Sequence, residues 1–327
     1  MSSSARAGLS GALGMTFVGG SVAVSGVLAH APLHTAQALR YAVACVLLLV
    51  WVRLTGRPSR RPRGNEWFWL LGVTATGLVL FNVALVYGSR HAEPAVLAVA
   101  VACVPLALAT VGPLLEGHRP GSRVLAAAAV VSIGAVIVEG LGRADAIGLL
   151  WAMVVFGCEA GFTLLAVPVL GAHGASGVSV HTTWMAAVMF GALALATEGP
   201  RAASTFDAGE LLAIGYLAVC VTAVAFILWY TCVRTLGAGR AGLLTGVAPI
   251  AAGVIGIPVV GAMPSAAAWA GVALIACGLA LGLGGNGAAG QAQRSPEHMP
   301  EMSRFSPKSN RASKSSNCST GLDARCG

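Results

Sequence analysis

"CVPLALATVGPLLEGHRP" occupies Cys103 to Pro120, and 144 residues further on "VAPIAAGVIGIPVVGAMP" occupies Val247 to Pro264. Sliding the chain along itself by 144 without a gap lays Arg90 on Arg234, Pro105 on Pro249, Gly112 on Gly256, Gly117 on Gly261, Pro120 on Pro264 and Gly134 on Gly278. Over Phe81 to Ala135 only nine of 55 pairs are identical, little above what an alanine- and glycine-rich chain gives by chance. The weight lies in Arg, Pro and Gly recurring in register. The same offset pairs five apolar runs in the first half with five in the second.

Those runs follow from the composition. Of 327 residues, 56% are hydrophobic and only 10% charged, which is not the profile of a soluble domain. A bilayer core needs roughly 20 mostly apolar residues per spanning helix. Ten candidates are present: Gly8 to His30, Thr35 to Leu54, Glu66 to Gly88, Pro94 to Leu115, Ser122 to Gly140, Ala146 to Leu170, Val178 to Thr197, Gly209 to Val233, Ala241 to Ala262 and Pro264 to Leu283. No run alternates apolar with polar residues at period two, which argues against a membrane β-barrel, and helices satisfy their own backbone groups in lipid.

The expected fold is therefore an all-α integral membrane protein of ten transmembrane helices in two five-helix repeats, residues 1–140 and 141–284. An odd number of spans per repeat makes the second enter the membrane in the opposite sense. Inverted repeats of this kind are a hallmark of secondary transporters, whose solute site lies near the midplane between the halves.

Loop charge sets the expected orientation. Arg6, Arg53, Arg57, Arg60, Arg61, Arg63, Arg119, Arg123, Arg234 and Arg240 fall on one face, ten positives against three (Arg90, Arg143 and Arg201) on the other. The positive-inside rule then puts both termini in the cytoplasm of a multi-pass protein of the cell inner membrane. The net charge of +8 thus reads as topology, and no nucleic-acid partner is expected. The "AHA" at Ala29 to Ala31 could pass for a signal-peptidase site, but the run before it is too long for a signal segment and nine further spans follow. From about Gly284 the chain turns polar, basic and rich in Ser, Pro and Gly, so residues 285–327 read as a disordered cytoplasmic tail whose cations can touch anionic lipid. Six of the eight cysteines lie in spans without metal or redox spacing, so no metal and no cofactor is expected.

With "ALRYAVACVLLL" at Ala38 to Leu49 and the two stretches quoted first, the chain resembles EamA-type members of the drug/metabolite transporter superfamily over about residues 8 to 284. The resemblance implies a gradient-driven carrier, often an exporter of amino acids, other metabolites or toxic compounds. It also implies a central cavity lined by spans one to four and six to nine, with five and ten at the periphery. The family usually has an arginine at the position of Arg40. It usually places Glu directly after the glycine where His118 and Ala262 stand here, and Glu116 precedes Gly117 instead; its frequent tryptophan after the span-six cysteine is replaced by Glu159.

Ionisable groups inside a span cost roughly 2.5 to 3.5 kcal/mol on insertion scales and usually face a cavity or a partner. Glu159, in "VVFGCEAGFTLLAVPVL" from Val154 to Leu170, falls near the middle of its run. Desolvation there favours the neutral form, which suits a group that takes up and releases a proton. Its counterpart under the offset is Met15, so the charge is not duplicated. Arg40 is a counter-charge for Glu159, an anchor for a solute carboxylate, or a structural cation. Gln37 and Asn82 can hydrogen-bond a solute or another helix, and His181, the counterpart of Gln37, is a further candidate. Trp184, Tyr87, Trp229 and Tyr230 offer stacking surfaces or an interfacial belt. The matched mid-span prolines Pro105 and Pro249 are candidate hinges or cavity formers, because proline frees a carbonyl four residues back.

No Walker loop, H-E-x-x-H or Gly-x-Ser-x-Gly elbow is present, which argues against ATP as the energy source and against an enzyme. The function expected is secondary transport of a small metabolite, amino acid or drug-like solute by alternating access, proton-coupled and outward. An uptake carrier of the same fold and a non-transporting membrane assembly or sensor protein are the alternatives. The partners expected are a small-molecule solute, protons, the lipid bilayer and, as an open assembly, a second copy in a homodimer.

Overall fold

The computed structural model describes residues 2–56, 60–260 and 263–284. The expected tail, Arg57, Gly261 and Ala262 lie outside the described residues. Helices account for the long elements: α1 Ser3–Ser25, α2 Leu33–Leu54, α3 Glu66–Gly88, α4 Pro94–Leu115, α5 Ser122–Glu139, α6 Ala146–Leu164, α7 Val167–Thr197, α8 Ala208–Leu236, α9 Ala238–Ile257 and α10 Ala266–Leu283. Among the described residues there is no strand, and the one extended contact is an isolated antiparallel bridge between Ala92 and Ala144. Among the described residues, nine helices, α2 to α10, are long and apolar enough to cross a bilayer. Helix α1 is 23 residues long and carries five serines and five glycines.

Local chemistry starts several of these helices. Ser2, Asp145 and Ser265 each accept a backbone N–H three residues on, and Asp207 with Glu210 forms a reciprocal capping box before α8. The sixth apolar run ends earlier than its sequence suggests, at Leu164 rather than Leu170. Pro168 stands in the first turn of α7, where its missing N–H leaves no bond unmade. Helix α7 is then broken at Gly174, whose φ of 65° and ψ of 175° lie outside helical geometry and need a residue without Cβ.

The two halves break their helices at matching places. Helix α3 is π-helical over Val73–Leu80 and α8 over Leu217–Val224, an offset of 144 at both ends. Helix α4 is interrupted at Cys103, just before Pro105, and α9 passes through a 3₁₀ turn at Leu244–Gly246, just before Pro249. Packing repeats the pattern: α2 lies on α7, α4 on α9 and α5 on α10, while α1 packs on α8 and α9 as α6 packs on α3 and α4. Not every pairing follows it. Helix α7 packs closely along α8, whereas the equivalent α2 and α3 meet chiefly through the side chains of Gln37, Tyr41 and Asn82.

Helices α5 and α10 meet through small residues. A Cβ on Gly134 would lie 2.8 Å from the Gly271 carbonyl oxygen, and one on Gly271 would lie 2.6 Å from that of Gly134. Gly134→Val is therefore expected to destabilise the protein by about 1–3 kcal/mol through overpacking. A lowered thermal unfolding midpoint in detergent checks this; an unchanged midpoint would mean the helices do not meet so closely.

Polar clasps tie the ends of the bundle. Glu93 pairs with Arg143 at 3.0 Å and His91 with Asp145 at 3.0 Å, joining the α3–α4 and α5–α6 connections. Hydrogen bonding from the Arg143 side chain holds Glu93 below the usual carboxylate range, and the Gly148 N–H followed by His91 does the same for Asp145. A depressed carboxylate stabilises the fold above its unfolded pKa, so this clasp is intact at neutral pH and weakens as pH falls through its lowered values. Near the same end of the bundle, Glu198 receives the backbone N–H groups of His34 and Thr35, both at 2.8 Å, at the N-terminus of α2. Burial pushes Glu198 up, but the Thr35 and His34 bonds outweigh it and leave the carboxyl below its ordinary value. At the opposite end Glu116 accepts the Ala238 N–H at 2.8 Å, fastening the end of α4 to the start of α9.

Candidate functional site

Helices α2 and α3 border a cavity of about 560 Å³. Its wall draws on α1 to α4, α6 and α8, and neither α5 nor α10 contributes a lining residue. It extends from Met15, Glu159 and Phe162 within the helices to Ala29, Ala31 and Ser89 near helix ends. Most of the wall is apolar, with Phe81, Phe226 and Trp229 among its aromatic members, and a small set of polar groups converges on it, as solute sites require.

Four of the sequence candidates meet here: Gln37, Arg40, Asn82 and Glu159 all line the cavity. Three of them form one chain of hydrogen bonds. Arg40 donates from Nε to Thr222 Oγ1 at 2.8 Å and from a terminal nitrogen to Gln37 Oε1 at 3.3 Å. Gln37 donates to Asn82 Oδ1 at 3.1 Å, and Asn82 donates to Tyr41 Oη at 3.2 Å and to the Leu78 carbonyl at 2.6 Å. The guanidinium also lies 5.1 Å from the centroid of the Tyr41 ring. Tyr41 is in turn stacked on Phe190 of α7 at 5.8 Å, so the network is braced from behind.

Thr222 shows why the π-helical segment matters. Its hydroxyl donates to the Leu217 carbonyl five residues back, the spacing of a π-turn, and keeps an acceptor lone pair for Arg40. A guanidinium has five N–H groups, and two of them are engaged. The terminal N–H groups that remain can receive a carboxylate or another anion.

Glu159 stands elsewhere on the same wall, half-buried. None of the ion pairs among the described residues includes Arg40 or Glu159, so the two side chains share a cavity without pairing with each other. Of the roles open to Arg40, a direct ion pair with Glu159 is not formed in this conformation, in which its guanidinium is hydrogen-bonded to Thr222 and Gln37.

The remaining candidates lie outside the cavity. His181 is nearly buried, its Nε2 is 3.0 Å from the Arg60 carbonyl, and it belongs to the opposite end of the bundle. Pro105 is buried beside the interruption in α4 and Pro249 lines a separate cavity of about 360 Å³ near Pro264 and Trp269. Of the four aromatic candidates only Trp229 lines the main cavity; Tyr230 donates to the Phe162 carbonyl at 3.1 Å, and Tyr87 stacks on Trp151. Trp229 is fixed by a 3.0 Å bond from its indole N–H to Thr163 Oγ1. Sequence reasoning missed Tyr41 and Thr222; the signal for Tyr41 was its place beside Arg40, and Thr222 had none.

The comparisons with known proteins agree with this architecture. The chain is 27% identical over 258 residues to an uncharacterized transporter, YetK, of Bacillus subtilis (strain 168), covering 75% of this chain and 76% of the relative. A solved crystal structure has the same fold, with a TM-score of 0.71 at 18% identity over 86% of this chain and 97% of the other. The EamA-like transporter family matches twice, over residues 6–139 and 146–283. Both halves that build the cavity are thus copies of one family domain, and this multi-pass membrane protein belongs to the EamA-like transporter family.

Proposed function

We infer that the chain is a secondary carrier that moves a small amphipathic solute by alternating access, outward and in exchange for protons. The observation that carries this reading is the cavity between the halves in which Arg40 and Glu159 stand unpaired with each other. Ten spanning helices of the cell inner membrane in two inverted repeats, residues 1–140 and 141–284, with a cytoplasmic tail and both termini in the cytoplasm, are the arrangement it assumes. The matched π-helical segments and matched packing support the repeats, and the loop arginines support the orientation.

Each polar group then has a task. Arg40 anchors an anionic group of the solute through its remaining terminal N–H groups, with Gln37 and Asn82 completing the recognition. The apolar wall takes the rest of the molecule. Glu159 alternates between binding a proton and releasing it, which its position on an otherwise apolar stretch of wall favours energetically. In this orientation the cavity faces the outside.

Purified protein in liposomes loaded with a pH-sensitive dye tests the reading against a panel of small metabolites, amino acids and drug-like compounds. Solute-dependent proton flux is expected for members that carry an anionic group. A folded, reconstituted protein that moves none of them would favour the non-transporting alternative. Lower intracellular accumulation in overexpressing than in deleted cells is expected for export, and the reverse would establish uptake.

A further inference from the structure

We propose that Glu66, together with His173, Arg60 and His181, forms a latch that shuts a second, inner vestibule, and that this vestibule is the symmetry counterpart of the open cavity. The proposal rests on the alternating-access reading above. Its starting point is a difference between the halves: α2 and α3 border the open cavity and meet through side chains, while their equivalents α7 and α8 pack closely along each other. Adding 144 to the cavity residues Gly14, Ala29, Gln37, Arg40 and Tyr41 gives Cys158, His173, His181, Trp184 and Met185. Four of these five are buried, and Trp184 is covered in part by the ring of Trp67.

The connection between α2 and α3 holds them there. His173 Nε2 lies 3.2 Å from Glu66 Oε2, and the other carboxylate oxygen pairs with Arg60 at 3.3 Å. The Arg63 N–H donates to Glu66 as well, at 2.8 Å. His181 accepts the Trp184 indole N–H at Nδ1, 3.4 Å away, so its Nε2 carries the proton and donates to the Arg60 carbonyl. The His173 and His181 rings meet edge to face at 5.4 Å, and Trp67, next to Glu66, lies edge-on to both His181 and Trp184.

Two features suit this cluster to open. Gly174, adjacent to His173, breaks α7 with positive φ, so the segment bearing His173 can turn separately from the rest of the helix. His173 Nδ1 is buried with no hydrogen-bond partner among the described residues, a penalty of the closed state that hydration of an open vestibule relieves. The outer end shows the contrast: Ala29, the counterpart of His173, lines open space.

Cys158, in the turn that carries Glu159, reports the change. In a protein whose other cysteines are replaced by alanine, an impermeant maleimide presented from the arginine-rich face should label Cys158 slowly. E66A should speed labelling roughly tenfold, the shift expected from loss of one charge-assisted hydrogen bond. E66Q, which keeps an acceptor for His173 but loses the charge for Arg60, should fall between and stands in if E66A fails to fold. Solute-driven proton flux is read in the same vesicles. Flux with labelling unchanged in the folded variants would overturn the latch and leave the carrier reading intact. Faster labelling in E66A, with no flux in the protein that keeps Glu66, would retain the moving gate and overturn the carrier reading.

Discussion

Arg40→Gln is expected to raise the KM for an anion-bearing solute by about 10- to 100-fold, the worth of a charge-assisted hydrogen-bonded anchor of about 1.5–3 kcal/mol. The neutral amide is too short to reach both Thr222 and a solute, so binding suffers more than turnover. Arg40→Lys separates charge from geometry. A lysine keeps the positive charge but cannot bridge Thr222 and Gln37 while presenting a fork to a carboxylate. It should therefore recover only part of the affinity. Concentration dependence of uptake into vesicles checks both variants, and an unchanged KM in Arg40→Gln would remove Arg40 from the solute site.

Glu159→Gln is expected to abolish uphill transport. One proton crossing about 100 mV supplies about 2.3 kcal/mol, enough for roughly a 50-fold accumulation of a neutral solute. Without a titrating group in the cavity that work cannot be transferred, and solute should only equilibrate. Exchange of solute for solute needs no proton and should survive, which separates lost coupling from lost folding. The pH dependence of transport should flatten in the variant, because the group proposed to bind and release the proton is gone. Uphill accumulation that persists in Glu159→Gln would assign coupling to another residue.

The sequence made some of this legible for identifiable reasons. Polar residues in an apolar run have to face a cavity or a partner, and Gln37, Arg40, Asn82 and Glu159 do line one cavity. A 144-residue offset resting on Arg, Pro and Gly was weak by identity, yet the π-helical segments recur at that offset because helix breaks are set locally. The position of His181 was not legible. Its counterpart Gln37 lines the open cavity while His181 is buried at the opposite end, and one sequence does not say which end of a two-sided carrier is open.

Other details depend on distant partners. Threonine is unremarkable in a spanning helix, so nothing marked Thr222 as the acceptor for Arg40 from 182 residues away. Glu116, read as a displaced family carboxylate, instead accepts the Ala238 N–H across 122 residues. The break at Gly174 was hidden because glycine is tolerated within an apolar run as well as at its interruption. Spans five and ten line none of the cavity, as the family resemblance implied, and their glycines serve the contact between them, but spans seven and nine, which it placed on the wall, line none of it either.

The central claim is that solute and proton share the cavity between the halves and cross the membrane in a fixed ratio. Simultaneous measurement of solute and proton movement in the same proteoliposomes, at several imposed pH gradients, tests it most directly. A constant proton-to-solute ratio, with proton flux that stops when solute is withheld, is the predicted result. Solute movement at full rate with no accompanying proton movement would contradict it.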